Sequence, residues 1–160
     1  MSNINFQSKH VARLLKSSWV YQGKVSPTAF QLRPGLKETY ISVLCEEMPT
    51  FLSDARTIVK GKDKTQYASL PKEEIEERDY QVNSDKVAFT IKPADNNTFK
   101  SHAGIFISVN GHGVTGGEPF KEFMKEDGVP ESTVLQEIGL FLADIAEKNL
   151  KTLNFDVLNE

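Results

Sequence analysis

The chain is poor in the residue types that most often carry metal, redox or nucleophilic chemistry. Among its 160 residues are one cysteine and three histidines. Cys45 alone cannot close an internal disulfide, and a reducing, cytoplasmic location is the expectation. His10, Cys45, His102 and His112 form no C-x-x-C, H-x-x-x-H or H-E-x-x-H spacing, so neither a metal site nor a cofactor is expected. There is no G-x-S-x-G. Apolar runs are only a handful of residues long, which excludes a membrane-spanning helix, and the first residues, MSNINFQSKHVARLL, lack the pattern of a secretory signal.

Acidic residues are missing from one third of the chain. Residues 1–37 hold Lys9, Arg13, Lys16, Lys24, Arg33 and Lys37 with no Asp or Glu; the net charge is −3, so the other 123 residues carry −9. Such a division either marks a surface for an anionic partner or lets the basic third pair with the acidic remainder. Hydrophobic residues make up 39% and charged residues 26%, the composition of a globular domain with a core of its own.

Spacing along the chain predicts an α+β protein: a single domain over residues 1–160, with a mainly antiparallel sheet and helices packed on one face. A first helix is expected over residues 7–17, where Phe6, His10, Val11, Leu14 and Leu15 recur at helical intervals and His10 and Arg13 share a face. Short strand pieces follow around Gly23, and ETYISVLCE reads as a strand. A helix is expected from Thr50, carrying Phe51, Leu52, Ala55, Ile58 and Val59 and stopped by Gly61. QYASL precedes a proline-started acidic helix, PKEEIEERDY. DKVAFTIKP and AGIFISVNG are strands, and PFKEFMKEDG is a short helix stopped by Gly128. The last helix spans about residues 131–149, with Thr133 and Gln136 at capping-box spacing. TLNFDVLN alternates as a closing strand.

Five of the ten glycines and two of the three histidines fall in KSHAGIFISVNGHGVTGGEPF, residues 100–120. GHGVTG satisfies G-x-G-x-x-G after a strand. A dinucleotide site nevertheless requires the third glycine inside the first turn of a helix, and Gly117, Glu118 and Pro119 delay that helix. The spacing from Gly111 to Gly116 also matches the glycines of a P-loop, but Gly117 and Glu118 stand where lysine and a hydroxyl residue are needed. What survives is a glycine-rich turn whose backbone N–H groups could hold an anion, through Gly111, His112, Gly113 and Gly116.

His102 has small neighbours and opens a strand, which makes it the candidate for proton transfer. Arg13 and Arg33 are the candidate charge partners of an anionic ligand. Cys45 falls on the inward side of its strand and reads as a small core residue. Trp19, Tyr21 and Phe30 lie among Lys16, Lys24 and Arg33, loosely as a nucleic-acid surface requires, but a pI near 5.7 and the absence of any RNA-binding or zinc-finger motif argue against that partner. In the last helix, Gly139 lowers helix propensity and Leu140 projects away from the apolar stripe, so the two are candidate interface residues. Two functions follow. The first is a small binding protein without catalytic machinery, which associates with another protein or with itself. The alternative is an enzyme or sensor for a phosphorylated or nucleotide-like ligand, held by the 100–117 stretch and the N-terminal basic residues.

Overall fold

His10–Leu15 is a strand, β1, and not the first helix that its spacing predicts. Val11, Ala12, Leu14 and Leu15 are all buried. A strand covered on both faces shows a nearly continuous apolar run, and over six residues such a run cannot be told from a helical stripe by periodicity. The computed structural model describes residues 8–32, 38–60, 66–94, 99–125 and 129–153.

After β1 the chain makes a 3-10 turn at Ser17–Trp19 and a small hairpin of β2 (Val20–Tyr21) and β3 (Lys24–Val25). A second 3-10 turn, Pro27–Phe30, is capped by Ser26, whose hydroxyl accepts the Thr28 N–H at 3.2 Å. Then come β4 (Ile41–Cys45), helix α1 (Phe51–Val59), β5 (Gln66–Pro71) and the short helix α2 (Lys72–Glu76). The chain continues as β6 (Tyr80–Val82), β7 (Asp85–Pro93), β8 (His102–Val109) and β9 (His112–Gly113). Helix α3 (Glu131–Glu147) and β10 (Leu150–Thr152) follow.

Among the described residues, eight strands form one sheet in the order β10-β5-β1-β4-β8-β7-β6, with β9 also on β8, and every pairing is antiparallel. The α+β expectation holds, with one adjustment: helices lie on both faces. The larger core joins Val11, Leu15, Ile41, Val43, Ile105 and Ile107 to Val134, Ile138 and Leu142 of α3 and Ile75 of α2. The alternate residues Ala12, Leu14 and Leu44 turn the other way and meet Phe51, Ala55 and Val59 of α1. Beyond α1 that second face is open: Ser42, Ala88, Thr90 and Lys92 are exposed.

Several boundaries differ from expectation. Thr50 precedes α1 as predicted, but its hydroxyl donates to Asp54 at 3.0 Å rather than capping a backbone N–H. α3 begins at Glu131, so Thr133 lies inside the first turn and forms no capping box. The Glu131 carboxylate instead accepts the N–H groups of Phe120 and Lys121. PFKEFMKEDG yields only a 3-10 turn, Lys121–Phe123. Gly61, Gly128 and the closing strand beyond Leu153 lie outside the described residues.

Candidate functional site

The sheet is split at its centre. β1 pairs with β5 along its whole length, from His10↔Pro71 to Leu15↔Gln66. It pairs with β4 only at Val11↔Cys45 and Ala12↔Leu44, after which the two strands part. Arg13 fills the opening: its Nε donates to the Ala29 carbonyl and its Nη1 to the Ser42 carbonyl, each at 2.9 Å. A guanidinium fits here because its planar fork reaches two acceptors at once.

A cleft of about 200 Å³ opens at this split, lined by Arg13, Lys16, Trp19 and Ser42 and by the apolar Ala12, Leu14, Val43, Leu44 and Ile58. Among the described residues, two cations and no carboxylate line it, in a chain of net charge −3. The Trp19 indole lies between them, 5.4 Å from the Arg13 guanidinium and 5.1 Å from the Lys16 ammonium. The volume is below the roughly 300 Å³ of small drug-sized pockets, enough for a phosphate or one ring but not for a dinucleotide.

His102 adjoins this cleft through Ser42. Its Nε2 is 2.7 Å from the Ser42 hydroxyl. Cross-strand register explains the meeting: Ser42 pairs with Gly104 and Leu44 with His102, so the two side chains are diagonal neighbours on the open face. The imidazole is 9% exposed and Tyr40 meets it edge-on at 5.8 Å. Its Nδ1 is buried and has no hydrogen-bond partner among the described residues. Burial pushes the His102 pKa below the ordinary histidine value, so the ring is neutral at physiological pH.

Arg13 and His102 therefore come together, both on Ser42, although sequence reasoning gave no role to that serine. The glycine stretch does not join them. His102 and Val109 are the two ends of β8, about 24 Å apart at strand rise. Asn110 and Gly111, at φ 51° and 86°, form the two-residue turn that leads into β9. Asn-Gly is the preferred sequence for such a hairpin because both residues tolerate positive φ. Val114 and Gly116 give their N–H groups to the carbonyls of Ile107 and Glu38. Gly113 is exposed, and the His112 ring stacks on Phe123 at 4.0 Å. The stretch is thus a hairpin and its return. Asn110 fastens it: its amide donates to the fully buried Asp85 at 2.9 Å and to the Phe123 carbonyl at 2.7 Å, and its oxygen accepts the Lys86 N–H at 3.0 Å.

The remaining candidates separate. On β1, His10 and Arg13 face opposite sides, and His10 pairs with Glu47 at 2.9 Å. Burial raises the Glu47 pKa, but the Ser8 hydroxyl and the ring and backbone N–H of His10 outweigh it and hold the carboxyl down at about 2. Cys45 is buried, and desolvation pushes its thiol up to about 11, as a core residue requires. Gly139 packs inside the chain: a methyl group there would sit 2.8 Å from the Pro27 carbonyl oxygen. That contact accounts for the glycine, and of the pair only Leu140, 45% exposed, faces outward. Arg33 lies outside the described residues.

No protein-family model, no curated protein and no solved structure matches the chain. Among the described residues no group of histidine, cysteine and carboxylate side chains could hold a metal ion, and no helix is long and apolar enough to cross a membrane.

Proposed function

We propose that the protein binds a small anionic ligand, a phosphorylated or nucleotide-like molecule, with its phosphate in the cleft between β1 and β4. The observation that carries this reading is the lining itself: Arg13, Lys16 and Trp19, with no carboxylate among the described residues. An anion there meets two positive charges beside the apolar side chains of Leu14, Leu44 and Ile58, where attraction is stronger than in bulk water. This takes up the second of the two functions suggested by the sequence, a site for a phosphorylated ligand, without the glycine turn and leaving aside association with a protein partner.

Trp19 is the sole tryptophan of the chain and reports directly on the cleft. Titration with inorganic phosphate and with nucleoside monophosphates, followed by Trp19 fluorescence and thermal melting, is the test. At about 100 times the dissociation constant a ligand stabilises by roughly 2.7 kcal/mol, or about 5–11 °C for a chain of this size. Lys16→Glu should abolish the response without lowering the melting temperature of the free protein, because Lys16 is exposed. An unchanged melting temperature and fluorescence at millimolar ligand, or an equal response in the variant, would refute the reading.

A further inference from the structure

We propose that Ser42 and His102 form a nucleophile–base dyad, which lets the cleft hydrolyse small activated esters that carry an anionic group. The choice of an anionic substrate rests on the reading above; the dyad itself does not. Four observations carry it. The Ser42 hydroxyl is 2.7 Å from His102 Nε2, within reach for proton transfer. Ser42 is exposed and lines the cleft, whereas its partner ring is buried. The ring is held from two sides. Tyr40 meets it edge-on, and Asp54 fixes the preceding residue by accepting both the N–H and the hydroxyl of Ser101, at 3.0 and 2.6 Å. Finally, Nδ1 is buried and unpaired among the described residues, and a buried polar atom without a partner calls for an explanation.

The chemistry is that of a two-step acyl transfer. Ser42 Oγ attacks the carbonyl carbon and its proton passes to His102 Nε2. The tetrahedral intermediate then expels the alcohol, the C–O bond breaks, and the imidazolium returns its proton to the leaving oxygen. Water, deprotonated by the same nitrogen, attacks the acyl-serine, releases the acid and restores Ser42. Nothing is oxidised or reduced. The Arg13 guanidinium, bonded to the Ser42 carbonyl, adds positive charge to the cleft lining.

No carboxylate meets Nδ1 among the described residues: Asp54 is occupied by Ser101 and Thr50. In a serine protease, altering that carboxylate lowers kcat about 10⁴-fold, so this dyad should capture activated reagents readily and turn over slowly.

The test is covalent labelling of the full chain with a fluorophosphonate, followed by intact mass and peptide mapping. The expected result is one adduct, on Ser42, absent from Ser42→Ala and formed at least tenfold more slowly in His102→Gln. Because a neutral imidazole is required and burial lowers the His102 pKa, the rate should be flat from about pH 6.5 to 8 and fall only at lower pH, where the ring protonates. No adduct, an adduct on another serine, or an undiminished rate in a natively melting His102→Gln overturns the dyad. If His102→Gln does not fold, the wild-type profile decides, and a rate that keeps rising between about pH 7 and 9, as a serine without a neutral base would show, overturns it. Labelling of Ser42 in a wild-type chain that shows no response to phosphate keeps the dyad and removes the anion site. Binding without labelling leaves the anion site standing and removes the dyad.

Discussion

Replacing Gly139 with alanine tests whether the helix α3 glycine is there for packing. Two effects oppose each other. Alanine gains up to about 1 kcal/mol of helix propensity over glycine at an interior position. Against that, the new Cβ would lie 2.8 Å from the Pro27 carbonyl oxygen, 3.2 Å from Pro27 Cβ and 3.4 Å from Gln31 Cγ. The nearest of these is backbone, in a 3-10 turn that Ser26 caps and whose Phe30 is buried, so it cannot yield as a flexible side chain would. Overpacking of this kind costs about 1–3 kcal/mol. The clash should therefore win by up to roughly 2 kcal/mol, which lowers the melting temperature by up to about 8 °C. Thermal unfolding followed by circular dichroism, with the oligomeric state checked by sedimentation, measures both consequences. A Gly139→Ala protein as stable as wild type, or more stable, would refute the packing argument and return the glycine to the surface of the problem.

Asn110→Ala loses three side-chain hydrogen bonds and puts alanine, which tolerates the left-handed region less well than asparagine, at φ 51°, so it should cost about 2–4 kcal/mol; a chemical-denaturation midpoint within error of wild type would contradict this. Cys45, with its thiol near 11, should resist iodoacetamide at pH 8 in the native protein and react at once in guanidinium. Two groups set the acid limb of stability. The His102 pKa is lowered on folding, so the unfolded chain takes up that proton first and stability begins to fall below about pH 6.5; His102→Gln should flatten that region. The Glu47 pKa is held at about 2 against an ordinary value near 4.5, so its contribution is present above pH 4.5 and is lost on further acidification, which Glu47→Gln should blunt; both are read from melting temperature against pH. Leu140→Asp should leave stability unchanged, and a fall in sedimentation coefficient relative to wild type at equal concentration would assign Leu140 to a self-association surface.

Legibility in the sequence followed the number of faces that each element buries. β7 reads cleanly because Val87, Phe89 and Ile91 are buried and Lys86, Ala88, Thr90 and Lys92 are not, so one covered face leaves a period of two. α1 and α3 read cleanly for the same reason at a period of 3.6. β1 did not, because α3 covers one of its faces and α1 the other, and burial on both sides erases the alternation. The GHGVTG spacing suggested a ligand loop, yet the decisive signal was the Asn-Gly pair just before it, a turn determined by local φ preferences.

By itself, then, the sequence determined what depends on neighbours in the chain. That includes the periods of its one-sided elements, the Asn110–Gly111 turn, the α+β class and the +6 charge of the first 37 residues. Tertiary structure alone decided what depends on strand order and register. Arg13, Ser42 and His102 are separated by 29 and 60 residues, and no spacing rule connects them. They meet because β4 lies between β1 and β8, because Ser42 falls opposite Gly104, and because the β1–β4 ladder ends at Ala12 and leaves a gap that a guanidinium can fill.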